Sequence, residues 1–283
     1  MDRRSFVKTL AAISATSLPL TNTYAEQTEN EQEFFGILID TTRCGGCQTC
    51  SEICAETNEL PVPDLDAMYE GKQKTSPSSF SVVNVYNIDD EEIFVKQQCM
   101  HCNQPACAVA CPTQALTKTE KGPVIWDGDR CMGCRFCMVS CPFDIPKFEY
   151  NSANPKITKC VMCWSRLKEG EQPACAENCP AEAILFGKRR ELLEEARRRI
   201  YHNPDQYVHE IYGEHEVGGT GVMYLSSVPF EQLEFRTDLG LKPYPEYTKT
   251  FLYSVPVVIT LWPAFLLALH NSHKEEAKEG NNE

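Results

Sequence analysis

Apolar and polar positions alternate in short stretches along most of this chain, and the pattern predicts strands more often than helices. Phe35 to Ile39 is an apolar run that ends at Asp40 and reads as a first strand. Phe80 to Ile88 alternates, and Glu92 to Lys96 is placed to pair with it across the polar Asn87 to Glu91 turn. Pro123 to Asp127, Ile184 to Phe186 and Val222 to Leu225 are three further strand candidates. Helical periodicity is clear in Arg189 to Ile200. There Leu192, Leu193, Ala196 and Ile200 share one face, charges cover the other, and Pro204 lies beyond the end. The Arg197-Arg198-Arg199 run on this helix reads as a solvated face in preference to a docking site.

Two segments break the pattern. From Thr250 to His273 there is no Lys, Arg, Asp or Glu. Phe251 to Leu269 alone would extend roughly 28 Å as a helix, close to the hydrocarbon thickness of a bilayer. A transmembrane helix over residues 250–270 is therefore expected, kinked at Pro256 and Pro263, with 271–283 as a polar tail. A buried core helix is the alternative. At the other end, Arg3-Arg4-Ser5-Phe6-Val7-Lys8 resembles the twin-arginine export consensus. A weakly apolar run from Thr9 to Leu20 and the small-residue site Thr23-Tyr24-Ala25 follow. Residues 1–25 read as a signal peptide, against the alternative of a basic disordered arm. With that signal, the 26–240 domain lies outside the membrane and the tail inside.

Composition changes the picture at one point above all. The chain holds sixteen cysteines, and all of them fall between Cys44 and Cys179. They form four quartets. The first is Cys44-x2-Cys47-x2-Cys50-x3-Cys54, and the second is Cys99-x2-Cys102-x4-Cys107-x3-Cys111-Pro112. The third is Cys131-x2-Cys134-x2-Cys137-x3-Cys141-Pro142, and the fourth is Cys160-x2-Cys163-x11-Cys175-x3-Cys179-Pro180. The C-x2-C-x2-C-x3-C-P run is the bacterial signature for [4Fe–4S] clusters, whose fourth cysteine ligates the other cluster of a two-cluster unit.

An exported chain with an even cysteine count raises disulfides as an alternative. Adjacent C-x-x-C pairs would waste most bridges, however, and the Cys-Pro endings have no use in them. Structural zinc sites need no third cysteine at i+6. No C-x-x-C-H haem motif occurs, and His101, lying between two ligands, reads as a loop residue that tunes a cluster by hydrogen bonding. The net charge of −13 argues against nucleic acid. Gly218-Gly219-Thr220-Gly221 lacks the spacing of a phosphate cradle and reads as a turn. No catalytic constellation stands out, so the chain is expected to be a non-catalytic carrier of electrons.

An internal repeat accompanies the quartets. Gln104-Pro105-Ala106-Cys107-Ala108 recurs as Gln172-Pro173-Ala174-Cys175-Ala176, and Arg43-Cys44-x-Gly46-Cys47 recurs as Arg130-Cys131-x-Gly133-Cys134. The expected fold class is α+β. It consists of a duplicated bacterial two-[4Fe–4S] ferredoxin-type domain with loop and hairpin insertions, plus a single C-terminal transmembrane helix. Residues 55–98 are the insertion, read equally as a docking surface or as cover for a cluster pair, and 187–240 form a C-terminal extension.

The four-quartet arrangement resembles the iron–sulfur subunits of membrane-bound respiratory oxidoreductases, those of formate dehydrogenase, dimethyl sulfoxide reductase and nitrate reductase. It is most similar to the HybA-type ferredoxin-like subunits of the periplasm-facing nickel–iron hydrogenase-2. The residues that carry the likeness include Lys96-Gln97-Gln98-Cys99-Met100-His101-Cys102, Gly133-Cys134-Arg135-Phe136-Cys137 and Ile211-Tyr212-Gly213-Glu214-His215.

The resemblance implies four [4Fe–4S] clusters and their ligand sets. These are Cys44, Cys47, Cys50 and Cys179; Cys99, Cys102, Cys107 and Cys141; Cys131, Cys134, Cys137 and Cys111; and Cys160, Cys163, Cys175 and Cys54. It also implies hydrogenase small and large subunits and an integral membrane quinone-reactive subunit as partners, with a formate dehydrogenase or other molybdopterin enzyme as the alternative. Cys54 departs from the pattern, being followed by Ala55, which is expected to relax that loop and keep the ligand.

Overall fold

The computed structural model describes residues 33–153 and 155–279. The twin-arginine stretch and the cleavage site lie outside them. Strand β1 (Phe35–Asp40) is central. It pairs antiparallel with β8 (Ile184–Lys188) and parallel with β9 (Val222–Leu225), giving the order β8-β1-β9. Both faces of β1 are covered, which explains why its sequence is a continuous apolar run instead of an alternation. Ile37 and Ile39 face the cysteine-rich side together with Val222 and Tyr224. Leu38 faces the other way, with Met223 and Leu225, onto Leu192, Leu193 and Ala196.

Those last three residues belong to the helix expected from its periodicity. In chain order the helices are α1 (Thr49–Thr57), α2 (Ala67–Glu70), α3 (Ala106–Val109), α4 (Phe136–Ser140), α5 (Trp164–Lys168), α6 (Ala174–Glu177), α7 (Arg189–His202) and α8 (Tyr244–Glu279). Three hairpins complete the fold: β2 (Val82–Ile88) with β3 (Glu91–Gln97), β4 (Leu116–Lys118) with β5 (Val124–Trp126), and β6 (Lys147–Phe148) with β7 (Ile157–Thr158). The β2–β3 turn is made by Asp89 and Asp90, both at positive φ (51° and 65°). That is the geometry which matches the twist of a two-residue hairpin.

The arginine run on α7 differs from expectation at one residue. Arg198 pairs with Glu195, and Arg197 with Glu214, on the exposed side. Arg199 turns inward. Its Nη1 donates at 2.7 Å to Asp40 Oδ2, which also accepts from the Tyr207 hydroxyl at 2.9 Å. Asp40 Oδ1 accepts from the backbone and hydroxyl of Thr42. The end of β1 is thus a fully buried carboxylate with every lone-pair direction used. Arg199→Met leaves that charge unpaired, and it is expected to lower unfolding stability by about 3–5 kcal/mol, read in a denaturant titration.

Helix α8 extends beyond the expected 250–270. Within its span Tyr244–Asn271 the most apolar window of eighteen residues has a mean hydropathy of 2.0, and none of that window is buried. That is the opposite of a core helix, which hides the same residues inside protein. The helix is long and apolar enough to cross a membrane. Pro256 and Pro263 sit within it, and the hydroxyls of Ser254 and Thr260 donate back to Phe251 and Pro256 carbonyls at 2.7 and 2.8 Å.

Candidate iron–sulfur centres

Each quartet is shaped by backbone conformations that only certain residues accept. The first and third loops run through Gly46 and Gly133 at φ 70° and 72°. At Gly46 a Cβ would also meet the Phe94 ring at 2.5 Å, so glycine is required twice over. Gln48 and Arg135, one residue past the second cysteine, adopt the left-handed conformation and start α1 and α4. In the second and fourth quartets the left-handed residues are His101 and Met162–Cys163. Pro105 and Pro173, the repeated prolines, cap α3 and α6.

The Cys-Pro endings make one common turn. Gln114, Asp144 and Glu182 are all left-handed, and their N–H groups donate to the carbonyls of Cys111, Cys141 and Cys179 at 3.2, 3.3 and 3.1 Å. Cys54 has no proline after it. Instead of a relaxed loop, α1 simply continues to Thr57, and Asn58 Nδ2 reaches back to the Cys54 carbonyl at 2.7 Å.

The structure brings the sixteen thiols together across the quartets. Cys44, Cys47, Cys50 and Cys179 line one cavity, and Cys54, Cys160, Cys163 and Cys175 a second. Cys111, Cys131, Cys134 and Cys137 line another. Cys99, Cys141 and Cys107 surround Cys102 electrostatically, which defines the remaining site. In every case the fourth member comes from a different quartet. The four sites also form a file. Cys50 of the first site interacts with Cys175 of the second, Cys160 of the second with Cys99 of the next, and Cys107 of that with Cys137 of the last. Cys47 and Cys134, one in each end site, are the exposed cysteines; those of the two inner sites are buried or half-buried.

All sixteen cysteines are free of disulfides. Among the described residues no three ligating side chains converge on a point as they would around a single metal ion. The thiols instead stand around a space, as a polyatomic iron–sulfide core requires. Burial pushes the thiols of Cys50 and Cys107 up to about 12 and those of Cys137 and Cys141 up to about 11. Only a bound metal would hold such groups as thiolates at neutral pH. Cys111 shifts the other way. Burial raises its pKa, but the N–H groups of Leu116 and Ala115 (the latter at 3.2 Å) and the Thr113 hydroxyl more than offset this and lower it.

Donors without protein partners complete the fit. His101 is buried, and its Nδ1 accepts from Val124 N–H at 2.9 Å. Burial, then Lys159, Lys118 and Lys96, hold it well below the usual histidine pKa. The ring is therefore neutral, with its proton on Nε2, which has no partner among the described residues. Gln98 Nε2 and the Ser51 hydroxyl are likewise unpartnered, and the Ser81 hydroxyl is directed at the Cys54 thiol. Such groups are what sulfide and thiolate acceptors would take up.

Residues Gly218–Gly221, expected from their spacing to form only a turn, take part in the site. In the fold they clamp the second quartet. Asn103 N–H donates to Gly219 at 3.0 Å, and the N–H groups of Gly221 and Val222 donate to Met100 at 3.0 and 3.1 Å. A run of glycines beside a strand was the one available signal, and it does not say which loop will approach.

This combination of a mixed helix–strand fold with four four-thiol sites defines a ferredoxin-type iron–sulfur protein. Residues 91–189 match the family model described as a 4Fe-4S dicluster domain, and the chain carries multiple [4Fe–4S] clusters. It is 44% identical to a protein of Nitratidesulfovibrio vulgaris strain Hildenborough, over 98% of this chain and 78% of that one. It is 37% identical to the hydrogenase-2 operon protein HybA of Escherichia coli O157:H7, over 83% of each. Identity to the formate dehydrogenase-O iron–sulfur subunit of Escherichia coli K12 is 33%, over 72% of this chain and 70% of that subunit. The chain belongs to the HybA family of iron–sulfur proteins.

Proposed function

We propose that this chain is the electron-transfer subunit of an exported, membrane-anchored hydrogenase. It would relay electrons through four [4Fe–4S] clusters between the catalytic small and large subunits and an integral membrane quinone-reactive partner. The observation that carries the reading is the file of four thiol-lined sites, with an exposed cysteine in each end site. Electrons need donors and acceptors to approach only the ends, and burial keeps water and oxidants from the middle. The ligand sets are Cys44, Cys47, Cys50 and Cys179; Cys54, Cys160, Cys163 and Cys175; Cys99, Cys102, Cys107 and Cys141; and Cys111, Cys131, Cys134 and Cys137.

Further support comes from the neighbourhood of the ends. Helix α3, which holds Cys107, touches α8, so the end of the file around Cys134 is the one suited to a membrane partner. The Cys47 end is then the side for the catalytic subunits. The repeated prolines at the starts of α3 and α6, and the repeated turns after Cys111 and Cys179, favour a duplicated ferredoxin unit. Export by the twin-arginine route rests on Arg3-Arg4-Ser5-Phe6 and on the need to carry clusters assembled before crossing. The substrate chemistry belongs to another subunit, since a cluster with four cysteine ligands has no open position.

Anaerobically purified chain is expected to hold about sixteen iron atoms and as many sulfides, from four cubanes. A zinc-only or metal-free sample with paired thiols overturns the reading. The likeness to formate dehydrogenase subunits supports a second assignment, to a molybdopterin enzyme. Affinity purification from solubilised membranes separates the two: a nickel–iron large subunit supports the first, a molybdopterin subunit the second.

A further inference from the structure

Lys96 is 1% exposed, an unusual place for a lysine. It lines the first cavity alongside Cys44, Cys47, Cys50 and Cys179. Its ammonium donates to Gln98 Oε1, and Gln98 lines the second cavity with Cys54, Cys160, Cys163 and Cys175. The pair therefore spans the wall between two neighbouring sites. Lys96 Nζ can only donate, so the amide of Gln98 must turn its oxygen toward it. That fixes the amide nitrogen as the free end. Gln98 is 2% exposed and its Nε2 has no partner. Tyr224, itself buried, holds the backbone in place by donating to the Lys96 carbonyl at 2.8 Å.

Among the described residues no carboxylate pairs with this buried charge. Lys96 instead stands within electrostatic reach of Cys175, Cys50, Cys160 and Cys54. Those four residues come from both cavities. With iron bound, the thiolates outweigh the positive charge of each core, so the ammonium keeps negative neighbours on both sides. Lys159, also buried, donates to the Cys160 carbonyl at 3.0 Å and lies beside Cys107 and Cys141, so it stands between the second site and the next and does not reach the first. Lys118 donates to the Cys102 carbonyl at 2.9 Å.

We propose that Lys96 and Gln98 are a shared electrostatic bridge that raises the reduction potentials of the clusters held by Cys44, Cys47, Cys50 and Cys179 and by Cys54, Cys160, Cys163 and Cys175. The inference rests on the ligand sets given under Proposed function. An electron arriving on either cluster adds negative charge beside the ammonium, which favours reduction, and an amide N–H aimed at sulfur does the same. Because one cation serves both, reduction of one cluster weakens its hold on the next electron at the other. The pair therefore takes up its two electrons at distinct potentials.

The test is a potentiometric titration of the full-length, anaerobically purified protein, followed by electron paramagnetic resonance, with iron and sulfide measured on the same samples. Cys163→Ser marks the signals of the second site. In Lys96→Met, the reduced-to-oxidised ratio at the wild-type midpoint is expected to fall about tenfold at both sites, or 59 mV for a one-electron couple. The other two clusters should move far less. Gln98→Met keeps the charge and removes the donor, and is expected to lower the ratio about threefold at the second site. Full iron with unmoved potentials overturns the bridge. Should Lys96→Met fail to load iron, Gln98→Met decides alone, an unmoved second site being the negative result. Wild-type protein with other than four clusters would instead show that the ligand sets themselves are wrong, and the bridge would fall with them.

Discussion

Cys54→Ala is expected to abolish the cluster of the last quartet, the one lined by Cys160, Cys163 and Cys175, and to spare the cluster of its own quartet. The thiol of Cys54 stands in the second cavity, although the first quartet supplies it. Helix α1 is the reason. It carries Cys50 and Cys54 one turn apart, so the two thiols are offset along the helix by about 6 Å and serve adjoining spaces. The comparison is Cys50→Ala, which should erase the first site's signal and leave the second. Each variant is expected to lose about four of sixteen iron atoms. Both changes break the file, Cys50→Ala at the end proposed for the catalytic subunits and Cys54→Ala one site further in. In the complex proposed above, either should therefore stop quinone reduction while the catalytic subunits still turn over artificial dyes. The same signal lost in both variants would refute the crossed arrangement.

Ending the chain after Pro243 is expected to release it from the membrane without loss of clusters. None of the apolar window of α8 is buried, so its removal takes no apolar core from the cysteine-bearing part and costs only the contact of α8 with α3. What is lost is the transfer of an apolar helix into lipid, to which each central Leu, Ile, Phe or Val contributes roughly 0.3–0.6 kcal/mol. Carbonate-washed membranes should retain the full-length protein and none of the shortened one, and the soluble product should keep its iron. A shortened protein that still resists the wash would mean that a partner subunit, and not α8, is the anchor.

Several features were legible in the sequence because they are local. Thiols at i, i+3 and i+6 followed by a fourth at i+10 are the signature of a cubane loop. The first and third quartets therefore announce the chemistry by spacing alone, and the second and fourth are lengthened versions of the same run. The α7 stripe, the β2–β3 hairpin and the apolar segment around 250–270 follow from periodicity and charge in the same way. Arg199 could not be read like this. It sits in a run of three arginines on a charged helix, and only the packing of α7 against β1 brings it within 2.7 Å of Asp40. Gly218 to Gly221 was equally opaque, since its partner at Met100 is more than a hundred residues away. The continuation of α1 past Cys54 is a middle case: the absent proline was visible, and its consequence was a longer helix instead of a looser loop.

By itself, then, the amino-acid sequence determined that this chain carries iron–sulfur clusters, how its sixteen cysteines group, and which segment can enter a bilayer. Each of these depends on residue type at short range. The tertiary structure decided the order of the four sites, which thiols surround each cavity, and which two sites open to the surface. It also decided that Lys96, one more lysine near the end of a hairpin strand, is a buried cation between two cavities. These are long-range outcomes. They arise because β1 is covered on both faces, which draws the start and the end of the cysteine region into one core where charges and thiols distant in sequence become neighbours.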